Sequence, residues 1–202
     1  MFTGLIREIA TVVSFDGKVL RLKASYEPKR GDSIAINGVC LSVVQLHNDG
    51  FSVEIGDETR NVVALENFKD KVHIEPAMRV GDRIEGHILQ GHIDCIGVIE
   101  RILPGSNSTD FFIRIPKEQI KFTAPKGSIA VDGVSLTIND VYEEHFRLTI
   151  IPITLKETLF GFYKVGRRVN IETDLFARYL YHMIKKERSL EWEEIERIQA
   201  LF

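Results

Sequence analysis

The chain has 202 residues, 44% hydrophobic and 27% charged, with 26 Lys plus Arg against 29 Asp plus Glu, a formal charge of −3. This composition excludes disordered, collagen-like and long coiled-coil chains, and it leaves room for one domain or two small ones with real cores. The near-neutral balance gives no electrostatic footprint for nucleic acid or an anionic membrane.

Met1 leads directly into a strand-like segment, without the basic flank and apolar core of a signal peptide. No apolar run reaches the ~18 residues that would suggest a membrane span. A soluble cytoplasmic protein is the expectation. The two cysteines, Cys40 and Cys95, are too few for a disulfide framework and are expected as free thiols.

The first predicted elements are strands. Ser33 to Val44 alternates apolar and small residues and breaks at Asn37-Gly38, a hairpin-turn pair. Phe51-Ser-Val-Glu-Ile55 alternates with period two, as a half-buried strand does. The same texture then returns. Ser33-Ile-Ala-Ile-Asn-Gly-Val-Cys-Leu-Ser42 lies against Ser128-Ile-Ala-Val-Asp-Gly-Val-Ser-Leu-Thr137, with six of ten positions identical. Gly4-Leu-Ile6 matches Gly91-His-Ile93. Asp57-Glu-Thr59 matches Pro152-Ile-Thr154, and Val72-His-Ile-Glu75 matches Val169-Asn-Ile-Glu172. A repeat of this length means two copies of one fold. Short strands with regular turn signals predict closed barrels.

Pro104-Gly-Ser-Asn-Ser108 is expected as a loop and Pro116-Lys-Glu-Gln-Ile120 as a short helical turn. The copies meet near Arg83-Ile-Glu-Gly86, and the repeat ends near Ala177. This divides the chain into 1–83, 84–176 and a tail, 177–202. From Leu175 on there is no Gly or Pro, and Leu180, Ile184, Trp192, Ile195, Ile198 and Phe202 recur at helical spacing, with Asp174 at the expected N-cap. That stripe must be buried on its own barrel or on a partner subunit.

Side chains two apart on a strand share a face. Cys40 and Ser42 in the first copy, and Ser135 and Thr137 in the second, therefore each present a small polar pair, read either as rim residues or as contacts to a polar ligand. His87 and His92 stand five apart in Gly86-His-Ile-Leu-Gln-Gly-His-Ile-Asp-Cys95 and would face opposite sides of a strand, so no metal is expected. Leu5 stands opposite His92 in the repeat. An imidazole in only one of two duplicated sites is what catalytic asymmetry would look like. No Walker loop, dinucleotide-binding glycine motif or nucleophile elbow is present. The dispersed aromatics offer no stacking platform for single-stranded nucleic acid.

Met1-Phe-Thr-Gly4, Asn37-Gly-Val-Cys-Leu41, Gly86-His87 with Gly91-His92, Lys126-Gly127 running into Ser128–Thr137, and Val169-Asn-Ile-Glu172 with Asp174 occur in that order. Together they resemble riboflavin synthase, a family with two lumazine-binding repeats, from Met1 to about Tyr179. The resemblance implies an all-β fold of two six-stranded Greek-key barrels in tandem plus a C-terminal α-helix that joins three chains. It implies a transferase that needs no cofactor. Two molecules of 6,7-dimethyl-8-ribityllumazine become riboflavin and 5-amino-6-(D-ribitylamino)uracil by passage of a four-carbon unit, the final step of riboflavin biosynthesis. The active site would lie between the N-terminal barrel of one subunit and the C-terminal barrel of another, and a lumazine synthase shell is a conceivable partner.

By the family pattern, His92 and Thr137 take acid–base and relay roles. Ser135 and Asp174 hold ligand in the second barrel, and Cys40 and Ser33 line the first, with Phe2 and Thr3 at its mouth. The ligand-binding set implied is Gly4, Leu5 and Ile6, then Cys40, Leu41 and Ser42, then Glu54, Ile55, Gly56, Asp57, Glu58 and Thr59. It continues with His87, Gly91, His92 and Ile93, then Lys126, Ser135, Leu136 and Thr137, and ends with Ile151, Pro152, Ile153, Thr154, Leu155 and Lys156. Each has a structural alternative: Cys40 a small core residue, Lys126 a surface charge, Asp174 a helix cap. Whether Cys40 or water adds to the donor ring stays open. Ser42 stands where the family commonly has Thr, and Gly56-Asp57 and Arg60 are unusual for it. The alternative function is a non-catalytic lumazine or flavin carrier. Such relatives tend to lose the histidine and its neighbours, whereas His87, His92, Ser135, Thr137 and Asp174 are all present.

Overall fold

Hydrophobic alternation and paired turns produce twelve strands in the computed structural model, which describes residues 1–186. They are β1 Glu8–Phe15, β2 Val19–Lys23, β3 Ser33–Ile36, β4 Val39–His47, β5 Gly50–Glu54 and β6 Lys71–Pro76, then β7 Cys95–Pro104, β8 Thr109–Arg114, β9 Ser128–Val131, β10 Val134–Val141, β11 His145–Ile150 and β12 Arg168–Thr173. The first six close into an antiparallel barrel in the order β1-β2-β5-β4-β3-β6. The second six close in the equivalent order β7-β8-β11-β10-β9-β12. Short helices follow β5 (α1, Asp57–Arg60), β8 (α2, Lys117–Ile120) and β11 (α3, Pro152–Glu157). The chain is helical again over 175–186 (α4). Trp192, Ile195, Ile198 and Phe202 lie outside the described residues.

The copies agree in their irregularities. Register shifts occur at Val12/Ser14 in β1 and Ile99/Arg101 in β7, and at Val43/Gln45 in β4 and Ile138/Asp140 in β10. Such bulges add twist and bend a strand around a barrel corner. Inward positions fill each lumen: Leu20, Leu22, Ile34, Phe51, Val53 and Ile74 in the first barrel, and Ile99, Phe111, Ile113, Ile129, Phe146 and Val169 in the second. Truncating one of the buried phenylalanines to Ala costs about 3–5 kcal/mol.

The barrels meet across a local two-fold axis. The Asn37-Gly38 and Asp132-Gly133 turns have positive φ at all four residues, 44°, 81°, 46° and 81°. They abut, and a Cβ on either glycine would lie 2.7 Å from the other's backbone nitrogen, so glycine is required by close approach as well as by φ. Beside them Phe2 and Leu89 exchange backbone hydrogen bonds of 2.8 and 3.0 Å and pack with Ala35 and Ala130.

Polar groups close the rest of the junction. His73 Nε2 accepts from Leu159 N–H at 2.7 Å, so its Nδ1 carries the proton and donates to the Asp132 carbonyl at 2.9 Å. Asn170 does the same in the other copy: its Oδ1 accepts from Ala64 N–H at 2.8 Å, and its Nδ2 donates to the Asn37 carbonyl at 2.9 Å. Burial pulls the His73 imidazole down to about 4. Burial pushes the fully enclosed Asp132 carboxyl up to about 6, against the pull of Arg167 and of the Tyr163 hydroxyl that donates to it at 2.6 Å.

Candidate active site

Each barrel's leading segment crosses to the other barrel. Gly4-Leu5-Ile6 runs along the second barrel, where the Gly4 carbonyl accepts from Ser135 N–H at 2.9 Å and Ile6 packs on that core. Gly91-His92-Ile93 runs along the first, where the Gly91 carbonyl accepts from Cys40 N–H at 2.9 Å and Ile93 packs on its core. A Cβ on Gly4 or Gly91 would come within 2.5 Å of the Cβ of Ser135 or Cys40.

A buried carboxylate holds each segment. Glu75 accepts from Thr3 N–H and Oγ1–H with one oxygen, at 2.7 and 2.9 Å, and from Gly4 N–H with the other at 3.0 Å. Glu172 accepts from Gln90 N–H at 2.7 Å and Gly91 N–H at 2.9 Å. Burial raises both carboxyls, Glu172 to about 7, and the N–H donors work against that rise. Neither residue carries a functional assignment in the sequence reading. The signal for them was a glutamate kept in both copies at a position where strand alternation calls for burial.

The predicted residues fall on two faces. On the first barrel Cys40 is half-buried and Ser42 exposed. Ser42 lies opposite Ser33 on one side and Glu54 on the other, and Glu54 pairs with Lys18 at 2.9 Å. On the second barrel Ser135 is half-buried, while Thr137 is exposed and opposite Ser128. Leu41 is buried and Leu136 partly so, each packing on its barrel core. α1 and α3 stand at the corresponding ends of β5 and β11. Ile151 and Ile153 are exposed there in the second copy, whereas Gly56 and Glu58 hold the equivalent places in the first. Both cysteines are free. Lys126 is exposed with φ 68°, and its N–H donates to the Ile138 carbonyl at 2.7 Å. A lysine in this left-handed region is the kind of strain that clusters at functional sites.

The structure joins some predicted residues and separates others. His87 Nδ1 lies 2.7 Å from Ser135 Oγ, and its Nε2 is buried without a partner among the described residues. Burial lowers the His87 pKa and the Asp174 carboxylate partly restores it, so Ser135, His87 and Asp174 form one group beside Thr137. The His92 segment instead lies against Cys40, and the His92 side chain is exposed. Phe2 and Thr3 are buried under the leader rather than at an open mouth, because the Phe2–Leu89 pairing and Glu75 draw them into the junction. Asp174 caps α4: its Oδ1 accepts from Phe176 N–H at 2.7 Å. The His87–Ser135 contact had no sequence signal, since it joins residues 48 apart that share no strand or helix period. Among the described residues no cluster of three metal-ligating side chains occurs, and no helix is long and apolar enough to cross a membrane.

Two tandem barrels with paired polar faces, each completed by the other barrel's leader, define a duplicated small-molecule-binding protein. The lumazine binding domain model matches residues 3–77 and again 90–174. The riboflavin synthase of Photobacterium phosphoreum is 37% identical over 194 residues, covering 91% of this chain and 89% of that protein. That of Brucella abortus is 35% identical over 202 residues, covering 93% and 100%. The chain belongs to the riboflavin synthase family. In fold it also matches LumP solved with riboflavin, at TM-score 0.76 and 22% identity over 86% of this chain and 99% of that one. LumP solved with 6,7-dimethyl-8-(1'-D-ribityl) lumazine matches at TM-score 0.73 and 21% identity over the same shares.

Proposed function

We propose that the chain is a riboflavin synthase: it converts two molecules of 6,7-dimethyl-8-ribityllumazine into riboflavin and 5-amino-6-(D-ribitylamino)uracil. One observation carries this reading. The scaffold is duplicated, yet the two faces differ in chemistry, with Cys40, Ser42 and the His92 leader on one and Ser135, Thr137, His87 and the Leu5 leader on the other. A dismutation needs this, because identical molecules must take different roles, donor and acceptor. The two products together contain the atoms of the two substrates, so no external oxidant or reductant enters the balance.

Holding two flat heterocycles together removes the entropy of a bimolecular encounter, an effect that reaches roughly 7–11 kcal/mol. The face bearing Ser135 supplies a hydroxyl backed by a neutral imidazole, suited to taking a proton from a ring methyl. The exposed Ile151 and Ile153 offer apolar cover for a ring, and Lys126 a cation for developing negative charge. On the other face Cys40 Sγ or a water activated nearby adds to the donor ring, and His92 exchanges protons with it.

Both faces are open on a single chain, which supports a site completed between subunits, the first barrel of one against the second of another. The exposed stripe Phe176, Tyr179, Leu180, Met183 and Ile184 on α4 supports assembly through that helix into a trimer. Barrel units of 1–83 and 84–176 with a tail from 177 fit this plan, as does a cytoplasmic location.

The test is to mix the protein with the lumazine alone and follow flavin absorbance. One riboflavin per two lumazines consumed is the expected result. Tight binding without flavin would make it a binding protein, in line with LumP solved in complex with that lumazine, and would return His87 and His92 to structural roles.

A further inference from the structure

The two leaders are held unequally. Among the described residues, Glu75 is the side chain that clamps the one that carries Leu5. The one that carries His92 has Glu172 and, in addition, a guanidinium from another element. Arg178, in the first turn of α4, donates from Nη1 to Asp94 Oδ1 at 2.9 Å and from Nη2 to Gln90 Oε1 at 3.2 Å, and it lies 3.8 Å from Glu172 Oε1. Gln90 and Asp94 stand two residues either side of His92, so one side chain ties both ends of Gln90-Gly91-His92-Ile93-Asp94. Asp94 fixes the far end again, its Oδ2 accepting from Thr173 N–H and Oγ1–H at 2.7 Å each. The helix bearing Arg178 is seated by the Asp174 cap and by Tyr181 edge-on to Phe122, with centroids 5.2 Å apart. Among the described residues the first copy has no such strap: Arg7 stands where Asp94 would, a cation in place of the acceptor, and its guanidinium acts on Glu75 through charge alone.

We infer that Arg178 is a positioning residue for His92, a strap from α4 that holds the imidazole-bearing leader against the Cys40 face. The inference rests on the riboflavin synthase reading. A guanidinium suits the task, since its planar fork binds two acceptors in fixed directions, whereas an ammonium is a point charge. The strap also acts on Glu172. The groups facing that carboxylate are the Gln90 and Gly91 N–H donors and Arg178, which favour the charged form, and Asp94, which opposes it together with burial. A protonated Glu172 accepts more weakly from the two N–H groups, so the leader loosens as pH falls, and losing Arg178 moves that loosening to higher pH.

The experiment compares the full-length parent with Arg178→Met and Arg178→Lys by riboflavin formation across pH, with thermal unfolding alongside. For Arg178→Met the expected result is a kcat about tenfold lower, a KM within twofold of the parent, and an acid limb moved to higher pH. Arg178→Lys keeps the charge and loses the fork, so it should restore the limb and only part of kcat. A folded Arg178→Met with the parent's kcat and pH profile would overturn the assignment. Should Arg178→Met not fold, Arg178→Lys decides: a kcat at least threefold down with an unmoved limb upholds it, and parental kcat overturns it. A parent that forms no riboflavin fails the functional reading first, and the strap falls with it.

Discussion

In the first barrel a buried imidazole, and in the second a buried carboxamide, do the same work. His73 and Asn170 each accept one backbone N–H and donate to one turn carbonyl across the junction. Next to them Asn37 and Asp132 each use Oδ1 to accept a backbone N–H within their own copy, Asn37 from His73 and Asp132 from Asn170. The second oxygen of Asp132 is a charge and draws in Tyr163 and Arg167. The equivalent atom of Asn37 is Nδ2, which has no partner among the described residues. What the duplication preserves is a pattern of donors and acceptors at fixed places. Titratable groups differ between the copies: His73 belongs to the first, and His87, His92 and Asp132 to the second.

His73→Ala tests that equivalence hardest. It leaves Leu159 N–H and the Asp132 carbonyl buried without partners, a loss of about 4 kcal/mol at 1–3 kcal/mol per group. His73→Asn installs the other copy's solution and should cost under half as much. Urea denaturation of both variants would show it, and equal losses would mean the copies are not interchangeable at this point.

The titration of the same group gives the next effect. His73 titrates near 4 when folded and 6.5 when unfolded, so its contribution is whole above pH 6.5 and is lost as pH falls towards 4. The span corresponds to about 3 kcal/mol. Asp132 runs the other way: its carboxyl sits near 6 when folded against 3.8, so its contribution is whole below pH 3.8 and is lost as pH rises through 6. In the parent the two offset between pH 4 and 6. His73→Asn removes the acid-sensitive half, and its stability relative to the parent should rise as pH falls over that range. A constant gap across it would contradict the buried neutral imidazole.

At the leaders the comparison is chemical. His92→Ala should lower kcat about a hundredfold, near 2.7 kcal/mol, with folding intact, whereas Leu5→Ala should act on lumazine binding and stability instead. If both changes reduce kcat alike, the asymmetry between the faces is not where donor and acceptor are distinguished.

Much of this was legible in the sequence for a physical reason: strand alternation and type I′ turns are local, so Asn37-Gly38 and Asp132-Gly133 announced two copies of one hairpin. That the hairpins abut was not legible, because it depends on where two barrels dock. The outward pairs Cys40/Ser42 and Ser135/Thr137 followed from period two. The crossing of the leaders did not, and it sets the His92 segment beside Cys40 while His87 meets Ser135. The Arg178 strap joins residues brought together only by the start of α4, and a lone arginine in a helical run carries no mark of its contacts.

The smallest effect reads the two-fold axis itself. Phe68 occupies in the first copy the place of Tyr163 in the second. It is buried and packs edge-on to Phe15, with centroids 5.6 Å apart. Tyr163 reaches Asp132 Oδ2 with its hydroxyl, and the repeat matches that atom to Asn37 Nδ2, which has no partner among the described residues. Phe68→Tyr would place a hydroxyl oxygen where that amide can donate to it. A satisfied buried donor contributes about 1 kcal/mol, or roughly 2–4 °C in Tm for a chain of this size. A rise measured by calorimetry would show that the equivalence of the copies extends to the tips of their side chains. A fall would show that the site beside Phe68 has closed around the ring, so that the backbone repeats while the packing above it has diverged.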